Sequence, residues 1–211
     1  MKIPDFRELD FVIAFSFFMT SGAYLYRLIA GYQSPEWIVF NIYGMVIFLI
    51  TGLLYLKRHR AIYTPRIGEA LVPFISALSP MFLMSTVLIL GENMIIMALP
   101  LIASVLYIFG LLITVWSFLT LGKNFSILPA MRGIVTHGPY RYMRHPAYLG
   151  ETLYLTGILF YSISLPAIIV FLFALSLLVL RIKIEENILL KSEKYRVYAS
   201  QVKYRLIPGL W

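Results

Sequence analysis

The sequence predicts an all-α, polytopic membrane helix bundle with a polar pocket at one end. Three observations carry this expectation. Of 211 residues, 60% are hydrophobic and only 13% are charged, against about a quarter charged in a typical soluble domain. Mean hydropathy is +0.83. The apolar residues gather into runs of the length that ~30 Å of hydrocarbon demands, about 20 residues at 1.5 Å rise each.

Six such runs occupy residues 11–30, 37–56, 71–90, 97–119, 148–163 and 167–184. About six transmembrane helices follow, or five if one lies at the interface. Pro73 and Pro80 fall inside the third run, which predicts a kinked helix there. The fifth run is short: a 16-residue helix reaches only ~24 Å, so its N-terminal end is expected below the lipid surface. Only Ser164, Leu165 and Pro166 separate the fifth run from the sixth, and a connection that short predicts a tight antiparallel helical hairpin.

Basic residues orient the bundle. The loop after the second run reads "KRHRAIYTPR", and the loop after the fourth contains Lys123, Arg132, Arg141 and Arg144. Arg181, Lys183, Lys191, Lys194, Arg196, Lys203 and Arg205 follow in the C-terminal segment, whereas the opposite loops, "GYQSPE" and "GEN", hold no lysine or arginine. Only Arg27 departs from the pattern. Both termini and the basic loops are therefore expected on the cytoplasmic side. The formal net charge of +8 is accounted for by anionic lipid headgroups and implies no nucleic-acid partner. The acids in "MKIPDFRELD" and the lack of a small-residue cleavage site predict no cleavable leader. The absence of cysteine excludes disulfides, thiolate metal sites and cysteine nucleophiles, and no metal is expected.

Polarity concentrates in the stretch "GKNFSILPAMRGIVTHGPYRYMRHPAYLGE", which begins at Gly122. It is too polar to span a membrane and too apolar for a free linker, so it predicts an ordered lid or pocket wall. Gly138 and Pro139 signal a turn. Pro146 suits the first turn of the fifth helix and pushes His145 into extended backbone. Tyr148 and Glu151, three apart, share one helix face. An acid below the headgroups is costly and marks a candidate site. Tyr142 and Arg141 read more plainly as an interfacial anchor and a lipid-phosphate contact, and His59 as solvated.

A second polar cluster, "RIKIEENILL", closes the sixth helix. Arg181 and Glu185 have the spacing of an intrahelical ion pair, worth ~0.3–0.5 kcal/mol. Glu185 and Glu186 oppose the helix dipole unless a cation neutralises them. The expected hairpin brings both acids beside His145 and Tyr148. Basic, acidic and aromatic groups together suit a zwitterionic ligand with a localised cation. S-Adenosyl-L-methionine is one candidate on these grounds.

The segments "GKNFS", "GIVTHGPYRYMRHPAYLGE", "EENIL" and "YRLIPGLW" resemble the isoprenylcysteine carboxyl methyltransferases and phospholipid methyltransferases. The likeness covers residues 121–211, the runs before it matching only in being apolar. It implies a C-terminal methyltransferase core over 121–211, with residues 1–120 as scaffold and acceptor access. S-Adenosyl-L-methionine would be the cofactor, and a lipid or lipid-like molecule the methyl acceptor. On this resemblance Arg132, Gly133, Ile134 and Val135 line the cofactor through their backbone, and Tyr140 faces it. His145, Pro146, Ala147 and Tyr148 hold its amino acid and ribose side, with Glu185 and Glu186 as the acidic pair. Arg144 orients the acceptor, and Glu151 or Glu186 is the base if the acceptor is an amine. Two departures stand out. Arg132 replaces a histidine common in relatives, and "LLKSEKYRVY" is shorter than the usual segment and lacks its Phe-Gly.

Two other readings remain at this point. Membrane sterol reductases, which use NADPH, share a similar His-Pro segment but generally have more spans. A small transporter or lipid-binding protein would be expected to carry polar groups near the bilayer midplane, whereas here they gather at one face.

Overall fold

The computed structural model describes residues 10–30, 35–90, 99–161 and 163–211, and within these it is helical. Seven α-helices follow one another: α1 Asp10–Ile29, α2 Pro35–Lys57, α3 Ile67–Leu90, α4 Pro100–Leu121, α5 Pro146–Tyr161, α6 Leu165–Leu189 and α7 Glu193–Gln201. Short 3-10 turns occupy Gly122–Asn124 and Gly138–Arg141. Among the described residues four helices, α1, α3, α4 and α6, are long and apolar enough to cross a bilayer. Phe11, Phe82, Leu101 and Phe173 are exposed on them, an outer surface suited to lipid. The start of the fourth run, at Met97, and the loops at 31–34 and 91–98 lie outside the described residues.

The core is built where helices lack side chains or stack rings. α4 and α5 pack closely at Gly110 and Gly150. A β-carbon on either would stand 2.8 Å from the other's carbonyl oxygen, closer than such atoms can pack. Tyr154 of α5 stacks on Tyr43 of α2 with centroids 4.0 Å apart, and Tyr107 of α4 is fully buried beside it. Inside α3, Pro80 cannot donate to the carbonyl of Ser76. The Ser79 hydroxyl donates to that carbonyl instead, at 2.8 Å. Ser164 caps α6, accepting from the Ala167 amide at 3.4 Å.

One expectation changes. α5 packs chiefly on α4 and α6 chiefly on α3, so the predicted tight hairpin is a pair whose arms lean on different neighbours. The glycine seam explains this, because it lets α5 approach α4 more closely than a Leu-rich surface allows.

The two basic loops are laced together at one end of the bundle. His59 N donates to Lys123 O at 2.7 Å, and Tyr63 and Met131 exchange backbone bonds of 3.1 and 3.2 Å. The Arg132 guanidinium donates to the His59 carbonyl. A buried ion pair joins Arg58 to Asp10, with the guanidinium 4.5 Å from the Tyr55 ring centre. Lys191, just past α6, donates to Tyr63 Oη at 2.9 Å.

Candidate functional site

The site forms where α5 begins and α6 ends. His145 stands directly ahead of Pro146, its carbonyl accepting from the Tyr148 and Leu149 amides, and its own amide donates to Arg205 O at 2.8 Å. The adjacent Arg144 amide donates to Tyr204 O at 3.0 Å. These bonds lay residues 203–206 along 143–146 as a strap, which settles the course of the shortened C-terminal segment. Gly138, at φ +60°, makes the turn that starts this wall, a backbone angle that costs other residues about 1–2 kcal/mol.

Glu186 is the hub. Its side chain is buried, with Oε1 3.0 Å from Arg144 Nη1 and 3.4 Å from His145 Nε2. The Tyr195 hydroxyl donates to the same oxygen at 3.4 Å. Arg205 Nε donates to Oε2 at 2.5 Å. Two arginines thus neutralise an acid that otherwise opposes the negative pole of α6.

A second cluster lies alongside. Tyr148 donates to Glu185 and stacks on the His145 ring at 5.4 Å. Arg181 sits 4.8 Å from the Tyr148 ring centre and 3.6 Å from Glu151 Oε2, and it donates to Ile127 O at 2.9 Å. Arg181 therefore pairs across helices with Glu151, not within α6 with Glu185. Tyr148 and Glu151 present one face to it, so its ring and carboxylate contacts both come from α5.

A tyrosine layer flanks the Glu186 cluster on the α7 side. Tyr140, Tyr195 and Tyr198 form a buried cluster against which Ile134 and Val135 pack. Tyr198 Oη donates to Tyr140 O at 2.6 Å. Burial pushes all three phenols above their ordinary range, and the carboxylates of Glu185 and Glu186 add to the rise. They stay protonated, and the Tyr195 and Tyr198 hydroxyls act as donors.

Of the sequence-predicted residues, the structure brings Arg144, His145, Glu186, Tyr148, Glu185 and Glu151 into two adjoining clusters, with Pro146 buried and Ala147 half-buried between them. Tyr140, Ile134 and Val135 stand in the tyrosine layer. Arg132 and Gly133 lie towards the other loop: the Arg132 side chain is committed to His59, and Gly133 abuts Asn124. Sequence reasoning missed Arg205 and Tyr195 as site residues, although Arg205 lies within the motif "YRLIPGLW". Among the described residues no three histidine or acidic side chains gather as a metal-holding group.

The phospholipid methyltransferase family model matches residues 98–196, and the family resemblance read from the sequence is borne out. The match starts upstream of residue 121, takes in α4 and ends within α7. Among curated proteins none matches the chain significantly. The fold is similar to that of a eukaryotic intramembrane Ras methyltransferase, isoprenylcysteine carboxyl methyltransferase, at 20% identity and a TM-score of 0.51. The similarity covers 93% of this chain and 74% of that one.

Proposed function

We propose that this chain, whose residues 98–196 belong to the phospholipid methyltransferase family, moves a methyl group from S-adenosyl-L-methionine to a lipophilic acceptor within the membrane. The observation that carries the reading is the meeting of Arg144 and His145 with Glu186, and of Tyr148 with Glu185, at the junction of α5 and α6. Arg144 Nε and Arg181 Nε are buried donors with no hydrogen-bond partner among the described residues, as expected of a pocket wall with capacity for a polar ligand.

When bound, S-adenosyl-L-methionine supplies an electrophilic methyl carbon on a sulfonium. Glu185 and Glu186 match its ammonium and sulfonium charges, while His145 and Arg205 match its carboxylate. Tyr140 and Tyr148 offer ring faces to the cationic centre. The 132–135 backbone and the first turn of α5, Pro146 and Ala147, complete the cradle. The protein's contribution is alignment, which can supply ~7–11 kcal/mol when reacting atoms are held in line, and exclusion of water from the nucleophile.

Arg144 orients an anionic acceptor. Both Glu186 oxygens are engaged by donors, so Glu186 serves as an orienting anion. Glu151, held by the single Arg181 pair, is the better-placed base if the acceptor is an amine. The experiment is incubation of the purified chain and membrane lipid extract with methyl-deuterated S-adenosyl-L-methionine, followed by mass spectrometry, with NADPH as a separate arm. Transfer of the label to a lipid supports the reading, and binding of NADPH without S-adenosyl-L-methionine overturns it. Glu151→Gln assigns the acceptor chemistry. For an amine the rate is expected to fall about 10²–10⁴-fold, the usual worth of a positioned base; for a carboxylate or thiolate it holds within a few-fold.

A further inference from the structure

Outside the Glu186 cluster, a cavity of about 320 Å³ opens between the Gly138–Arg141 turn and the strap, lined by Arg141, Tyr142, Lys203, Tyr204 and Pro208 among others. No carboxylate lines it. The Arg141 and Lys203 side chains are exposed and have no hydrogen bond or ion pair among the described residues. Two cations facing one small cavity repel one another unless an anion lies between them.

The surroundings identify the anion's source. Tyr142 and Tyr204 are exposed at the cavity, and Ile207 and Leu210 are exposed on the chain just beyond the strap. Tyrosines and apolar side chains around a basic pair, at the end of the bundle where the basic loops meet, make an interfacial surface. Water-soluble anions need no such apolar rim. We propose that this cavity binds the phosphodiester headgroup of an anionic phospholipid of the bilayer.

The consequence reaches the pocket through short lengths of chain. Arg141 stands three residues before Arg144, and Lys203 two before Arg205. Each segment carries one cation to the cavity and one to Glu186. The same segments are joined by the Arg144–Tyr204 and His145–Arg205 backbone bonds, and Arg144 Nη2 also donates to Lys203 O at 3.3 Å. A headgroup bridging Arg141 and Lys203 removes their repulsion and fastens the strap that delivers Arg205.

Native mass spectrometry of the detergent-solubilised full chain with phosphatidylglycerol, phosphatidylcholine or inorganic phosphate tests this apart from methyl transfer. The wild type is expected to retain phosphatidylglycerol over phosphatidylcholine. Arg141→Gln with Lys203→Gln lowers phosphatidylglycerol affinity about 25-fold, a factor of about five for each basic residue at an anionic surface. Lys194→Gln, exposed on α7, leaves it unchanged. Should the double variant unfold, Arg141→Gln alone gives the fivefold loss. No preference in the wild type, an undiminished preference in the folded variants, or inorganic phosphate binding as tightly as the lipid overturns the proposal.

Discussion

Glu186 receives donors from α6's neighbours on three sides: Arg144 and His145 before α5, Tyr195 on α7, and Arg205 on the strap. One carboxylate thereby organises segments separated by up to 61 positions of sequence, Arg144 to Arg205. Its position near His145 was legible, because the short connection before α6 returns the chain to the start of α5, whereas its pairing with Arg144 was not. Arg205 and Tyr195 were not legible as partners, since no periodicity links the strap to the α5 entrance. Arg205→Gln keeps a donor but removes the charge. On the proposed reading it weakens S-adenosyl-L-methionine binding about 10-fold or more, as loss of a charge-assisted bond of about 1.5–3 kcal/mol implies. Tyr195→Phe removes a neutral donor at 3.4 Å and has a smaller effect, about 0.5–1.5 kcal/mol. Equal affinities in wild type and Arg205→Gln, measured by calorimetry, contradict the role given to the strap.

At the scale of elements, hydropathy found every long helix, because lipid imposes length and composition together. Pro146 marked the start of α5 by its first-turn preference, whereas the capping role of Ser164 at α6 emerged only from the structure. Helix partners were less legible: Gly110 and Gly150 are far apart in sequence, and nothing in either run announces that the two meet. Gly150→Ala places a methyl against the Gly110 carbonyl and the Thr114 side chain. Neither is a flexible side-chain end that can swing away, so α5 must shift, at about 1–3 kcal/mol. The unfolding temperature in detergent is expected to fall. Cofactor affinity should fall with it, since the shift moves the start of α5 relative to Glu186. Gly22→Ala on α1 is the matching control, as nothing lies within 4 Å of its new methyl. Equal unfolding temperatures for the two variants contradict the close α4–α5 approach.

For the molecule as a whole, charge asymmetry and fold agree that one end of the bundle is special. The loops after α2 and α4, both basic, hydrogen-bond to each other, and the site lies at that end. The positive-inside rule makes the cytoplasm the expected side of this end, and the expectation has a direct test, because the chain has no cysteine. Single substitutions Arg60→Cys, Thr136→Cys and Lys194→Cys are expected to react with an impermeant maleimide from the cytoplasmic side, and Ala30→Cys from the other. Labelling of all four from one side contradicts the topology.

Whether the start of α5 and the end of α6 together hold S-adenosyl-L-methionine is decided by titrating it calorimetrically into the wild type, His145→Ala and Glu186→Gln. Saturable binding is expected for the wild type, with a loss of about 10-fold or more in each variant that still unfolds cooperatively. Indistinguishable affinity across the three folded proteins contradicts that placement.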